Sequence, residues 1–132
     1  MIEQGFRGVR PAMVMATLAI ALGGAGAAHA GDAVAGKAVF NSQCAMCHTV
    51  TKGGANLLGP NLNGLVGRPA GTLKGYNYSP AMKAAGFSWT DAKLTEYLPM
   101  PAKLVPGNKM PYAGLRPATK VDDLVAYLDT AK

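Results

Sequence analysis

"QCAMCHTV", residues 43–50, holds the only two cysteines of this 132-residue chain, with His48 directly behind the second. Each way of reading that stretch describes a different protein. A zinc site would draw Cys44, Cys47 and His48 from one short run, which strains a tetrahedron. The other histidine, His29, lies in a segment that reads as a cleaved leader, so the fourth ligand would have to be a carboxylate. A redox dithiol expects a strand–turn–helix within a βαβ pattern, and the sequence has none. A plain disulfide would close a very short loop and restrain little of the unfolded chain. None of the three uses the histidine.

C-x-x-C-H is also the attachment sequence of c-type haem. Two thiols at this spacing on a helical turn add to the two vinyl groups of one haem as thioethers. The next residue then projects its imidazole to the iron from the same face. On this reading Cys44 and Cys47 are covalent anchors of haem c and His48 is an axial ligand.

The N-terminal side of the motif fits an exported protein. Arg7 and Arg10 make a basic start, "AMVMATLAIAL" (12–22) is an apolar run, and "AHA" (28–30) is a small-residue exit. This order describes a secretory signal, residues 1–30, cleaved after Ala30. The run is shorter than the ~20 residues of a membrane-spanning helix, so no permanent span is expected. The expected mature domain is 31–132, in the periplasm. Losing Arg7, Arg10 and Glu3 leaves 11 basic and 6 acidic residues, a net +5. That balance suits partners with acidic surfaces, and an ordinary solvated surface accounts for it equally. Export argues against nucleic acid, and the lysines are spread singly without a polybasic run.

Beyond the motif three segments read as helix. "TKVDDLVAYLDTAK" (119–132) sets Val121, Leu124, Val125 and Leu128 at i, i+3, i+4 and i+7, with Thr119 as N-cap and acids in the first turn. "SWTDAKLTEYL" (88–98) has a Thr90 or Ser88 cap and stops at Pro99. "DAVAGKAVFNSQ" (32–43) is weakened by Gly36. "SPAMKAAG" (79–86) reads as a short helical turn with Ser79 at the cap and Pro80 first inside. Residues 49–78 hold seven glycines and no usable period. So long an irregular stretch is unusual inside a small domain, and the helices alone offer a thin core. A large buried cofactor would supply the missing apolar mass.

A haem held by one histidine leaves the second axial position open: an empty or weakly filled site invites gas binding or peroxide chemistry, and a methionine gives electron transfer. Beyond the leader no second histidine exists, and the methionines are Met46, Met82, Met100 and Met110. Met46 lies inside the attachment motif, and Met82 suits apolar filling. Met100 and Met110 both stand on proline-framed backbone, and the residues alone do not separate them.

The region 31–132 resembles class I c-type cytochromes of the mitochondrial cytochrome c and bacterial cytochrome c2 group, almost end to end. The matching segments are "CAMCHTV", "GPNLNGLVGR" (59–68), "GYNYSPAMK" (75–83), "FSWTDAKLTEYL" (87–98), "PGNKMPYAGL" (106–115) and "DLVAYL" (123–128). The resemblance implies an all-α cytochrome c fold of three to five helices around one haem, and a monomeric single-haem electron carrier rather than an enzyme. It implies Met110 as sixth ligand, Pro60 as carbonyl partner of the His48 ring, and Tyr97 near the Met110 sulfur. Arg68, Tyr78 and Trp89 would hold a buried propionate, and Asn108 stands at the cofactor two residues before the ligand. Gly36 and Phe40 would meet Leu124 and Tyr127 where the terminal helices cross. The chain departs from its relatives at Met82, Asn108, Pro99 and Met100. Where mitochondrial proteins carry front-face lysines it has Ala38, Gln43, Leu57 and Ala102, while Lys103, Lys109 and Arg116 remain. The competing function is a haem enzyme or gas binder whose sixth ligand is displaceable.

Overall fold

The computed structural model describes Gly8 and residues 30–132. The leader read from the sequence therefore lies almost wholly outside the described residues. Five α-helices follow in order: α1 Ala33–Gln43, α2 Pro80–Lys83, α3 Asp91–Tyr97, α4 Pro101–Leu104 and α5 Ala118–Thr130. Among the described residues there is no strand, only an isolated antiparallel bridge between Pro69 and Ser88. The all-α expectation holds.

Local chemistry sets the helix starts. The Asp32 carboxylate accepts from the Val34 and Ala35 amides, at 2.8 and 3.3 Å, and opens α1. Ser79 accepts from Met82 N at 3.1 Å and Thr90 from Lys93 N at 3.1 Å, opening α2 and α3. At α5 the structure departs from the sequence expectation. The helix begins at Ala118 with Pro117 in the cap position, no side-chain cap bond and no acid in its first turn. Pro117 has the φ a helix entry needs, so the helix starts before Thr119 can cap it. Asp123 is drawn instead to α1, where its carboxylate accepts from Asp32 N at 2.8 Å. The sequence reading also missed α4. Pro101 is at its first position, where a missing N–H costs nothing, and the chain that Pro99 turns out of α3 re-enters helix there.

The core is the crossing of α1 and α5. Val121, Leu124, Val125 and Leu128 are buried on one face of α5, as their spacing predicts, and meet Val39 and Phe40 of α1. The Phe40 and Tyr127 rings pack 5.7 Å apart, tilted by 55°. The helices approach so closely at Gly36 that a Cβ there would overlap the Asp123 carbonyl oxygen and press on the Tyr127 Cβ.

Residues 49–78 contain neither helix nor strand, yet their polar groups are placed. The buried Asn61 side chain donates to Thr49 Oγ1 at 2.6 Å and to the Thr51 carbonyl at 2.9 Å. Leu62 N reaches the Thr49 carbonyl at 2.8 Å, and Gly67 N the Trp89 carbonyl at 2.6 Å. Among the described residues no buried side-chain nitrogen or oxygen lacks a partner. The irregular loop is thus closed by side-chain and turn bonds instead of a ladder.

Gly36→Ala should force the terminal helices apart, because the overlapping atoms on α5 are backbone. The expected loss is roughly 1–3 kcal/mol, seen as a lower urea midpoint at unchanged slope.

Candidate cofactor site

The chain leaving α1 keeps turning. Cys44 N bonds the Phe40 carbonyl at 2.8 Å, and Cys47 N and His48 N both reach the Cys44 carbonyl at 3.0 Å. One turn therefore carries both thiols and the imidazole. It opens on a cavity of about 610 Å³ with mostly apolar walls. Cys44, Cys47, His48, Pro60, Arg68, Tyr78, Trp89, Tyr97, Asn108 and Met110, every site position singled out in the sequence, line this one cavity.

A cavity that size is not a packing defect. Folded interiors leave few voids larger than a water molecule, and this one is far larger. Its volume lies within the range of small-molecule and cofactor sites. A large apolar group therefore belongs to the fold, and the polar groups around the cavity define which kind.

His48 is fixed from two sides. Its Nδ1 lies 2.8 Å from the Pro60 carbonyl, so that nitrogen donates and Nε2 keeps its lone pair for a metal. Burial pulls the imidazole below its ordinary pKa, only partly offset by the Pro60 bond, which favours the neutral, metal-binding form. Gly59 lies against the ring: a Cβ there would overlap the imidazole, and its N–H donates to the Cys47 carbonyl at 2.8 Å. The sequence reading quoted Gly59 without giving it a role. A glycine directly before the proline that bonds the ring is the signal that could have found it.

The cysteines are half-buried and free. Burial, then the neighbouring Cys47, pushes the Cys44 thiol up to about 11. A catalytic dithiol needs the opposite shift, towards thiolate at neutral pH. The dithiol reading therefore loses its chemistry.

The methionines separate once folded. Met100, at the N-cap of α4, is exposed and does not line the cavity. Met82, set aside as filling, does line it, from the buried face of α2. Met110 reaches it from irregular backbone whose N–H donates to Asn108 Oδ1 at 2.9 Å. The Asn108 amide nitrogen in turn holds the Val105 carbonyl at 3.0 Å. The Tyr97 hydroxyl points at the Met110 sulfur from 4.0 Å, and burial pushes its phenol up to about 12, so it stays a donor.

Arg68 donates to the Asn63 and Asn61 carbonyls, both at 3.2 Å, while burial and the nearby Arg68 charge act in opposite directions on the Tyr78 phenol. Trp89 is wedged edge-on between Phe87 and Tyr97, with centroids 5.0 and 4.9 Å away. No aspartate or glutamate lines the cavity. A half-buried guanidinium bonded only to neutral carbonyls suits a ligand with an anionic end. Two thiols, an oriented imidazole, a thioether, apolar walls and that cation together fit a haem with its propionates.

A family model described as cytochrome c matches residues 33–132. Cytochrome c of Guizotia abyssinica is 50% identical over 101 residues, covering 76% of this chain and 91% of that protein. Cytochrome c of Chlamydomonas reinhardtii is 48% identical over 104 residues, 79% of this chain and 93% of that one. Cytochrome c-550 of Nitrobacter winogradskyi is 47% identical over 98 residues, 74% and 89% respectively.

Gly59→Ala is expected to displace the His48 ring and break its bond to Pro60. Leaving those groups unpaired should cost roughly 1–3 kcal/mol, measurable by denaturant unfolding against wild type.

Proposed function

This chain belongs to the cytochrome c family and is an electron carrier holding covalent haem c; we propose that His48 and Met110 are its axial iron ligands, that Cys44 and Cys47 are its thioether anchors, and that it works in the periplasm. When bound, the haem supplies an iron that accepts and returns one electron. The observation that carries the residue assignment is the convergence of both thiols, the Pro60-bonded imidazole and the Met110 thioether on one apolar cavity.

The roles follow from the contacts. Pro60 orients the imidazole and raises its basicity. Asn108 pins the Met110 backbone, and Tyr97 directs a hydroxyl towards its sulfur. Arg68, Tyr78 and Trp89 hold the propionate end, where a negative charge needs a partner. The leucines of the walls keep water from the iron. Ligands held in place leave little to rearrange when the charge changes.

Export is supported by the basic, apolar and small-residue order of residues 1–30. Gly31 already packs on α5, where a Cβ would overlap the Asp122 carbonyl oxygen, and Asp32 caps α1. Among the described residues no helix is long and apolar enough to cross a membrane. The partners we propose are redox proteins with acidic surfaces, met by a monomer whose net charge of +5 after cleavage speeds encounter.

Met110→Ala should abolish the weak sulfur-to-iron band of the ferric spectrum and let carbon monoxide bind the reduced protein rapidly. An unchanged band would move the role to Met82, the other thioether on the cavity. Mass spectrometry of the exported protein should find Gly31 at the N-terminus, and a retained leader would remove the periplasmic assignment.

A further inference from the structure

The segment that carries Met110 is held from two directions. Its ends bond to residues 98–105, through Asn108 to the Val105 carbonyl and Leu115 N to the Leu98 carbonyl. Its middle reaches across the cavity. The Tyr112 hydroxyl donates to Gln43 Oε1 at 3.3 Å, between residues 69 positions apart. Gln43 is the last residue of α1, directly before Cys44, and both Gln43 and Tyr112 line the cavity. Among the described residues this is the one hydrogen bond that ties 108–115 to the cysteine side of the site.

Three further bonds turn that tie into a closed circuit of stretches lining the cavity. The cysteine turn is joined to the next turn by Gly59 N and the Cys47 carbonyl, at 2.8 Å. The Leu58 carbonyl accepts from the Tyr76 hydroxyl at 2.7 Å. The Lys109 ammonium donates to the Asn77 carbonyl, which returns the circuit to the Met110 segment. Of the four links, Tyr112 to Gln43 is the longest, beyond the usual O–H···O range. It is also open to solvent, since Gln43 is exposed and Tyr112 only half-buried. The circuit therefore parts first at that link.

Parting there moves the thioether. Tyr112 N–H donates to the Met110 carbonyl at 2.9 Å, so the two residues share one tight turn. Tyr112 cannot swing away from Gln43 without turning the Met110 backbone with it.

We propose that Tyr112 and Gln43 form a latch, whose hydrogen bond keeps the Met110 segment closed over the cavity and sets how often the sixth iron position opens to an outside ligand. The inference rests on the His48 and Met110 ligation reading and adds two positioning residues to it, one on each side of the site. A carrier needs its sixth position filled, whereas an open one invites ligand binding. A link that is weak and exposed makes such opening local, without unfolding the domain.

The test is ligand exchange in the ferric holoprotein, mixed with imidazole at concentrations where the rate no longer rises and opening limits it. Loss of the sulfur-to-iron band reports the exchange. Y112F and Q43L each remove one partner and should speed it roughly 2- to 12-fold, the range that one net hydrogen bond represents. The double variant should be no faster than the faster single one, because both residues act through one bond. Q43E keeps an acceptor and should open no faster than wild type. D32A removes the cap at the other end of α1, which lowers overall stability, and should leave the rate unchanged. Four results would each overturn the latch and leave the ligands standing. They are a single variant at the wild-type rate, single effects that multiply in the double, Q43E as fast as Q43L, and D32A as fast as Y112F. A wild type without the band overturns both.

Discussion

The constraint that organises this domain is an apolar cavity of about 610 Å³ in a chain with few regular elements to enclose it. Helices cover only part of its wall: α1 and α5 supply Phe40, Leu124 and Leu128, α3 supplies Leu94 and Tyr97, and α2 supplies Met82. The rest is irregular chain. A strand or helix presents one face at fixed spacing, whereas a flat group needs contact from many directions at once. Residues 49–78 meet that need by giving up a backbone ladder and bonding locally. The Asn61 side chain serves Thr49 and Thr51 and accepts from Asn63 N at 2.8 Å. The loop is irregular because of what it surrounds.

How far the sequence foretold this depends on the range of the interaction involved. The short-range signals were legible. Ser79 with Pro80, Thr90 before an acid, and the i, i+3, i+4, i+7 pattern in α5 all act within one turn, and the helices lie where those signals put them. The misses came from competition or distance. Thr119 was a sound cap in isolation, but Pro117 starts α5 ahead of it. Pro99 did end α3, yet the same punctuation opened α4 one step later. Met100 and Met110 shared a proline-rich local chemistry that no single-residue argument could divide. The family resemblance favoured Met110, and the fold agrees by turning Met100 outward and Met110 to the cavity. Gly59 carried no periodic signal, and its importance appears only once the His48 ring, eleven positions earlier, packs against it. Of the ten cavity positions, Cys44, Cys47 and His48 came from the motif itself, whereas Pro60, Arg68, Tyr78, Trp89, Tyr97 and Asn108 came from family resemblance, since read in isolation they are ordinary loop and core residues.

The same geometry separates charge from chemistry. Of the two cations lining the cavity, the half-buried Arg68 donates to the Asn61 and Asn63 carbonyls, while the exposed Lys109 lies over the Tyr76 ring and donates to the Asn77 carbonyl. The long-range field comes from lysines spread singly over the surface, which is the arrangement that accelerates approach without dictating one docked pose.

The Met110 segment shows how firmly an irregular chain can be held. Upstream, Asn108 bonds Val105 through both its backbone and its side chain, at 3.1 and 3.0 Å, and accepts the Met110 amide. Downstream, Leu115 N reaches the Leu98 carbonyl at 2.8 Å. Gly114, at φ 125°, passes so close to Pro99 that a Cβ would overlap its carbonyl oxygen. Only glycine adopts that φ at little cost and also fits that gap. The segment is thus pinned on both sides of Met110 to residues 97–105, the stretch containing the Tyr97 hydroxyl that points at its sulfur. A ligand loop anchored at both ends by one neighbouring stretch has few ways to relax when the metal's charge changes. Dipoles already in place need no rearrangement at the moment of transfer. What looks like loose, glycine- and proline-rich chain is the means by which this fold keeps its proposed sixth ligand still.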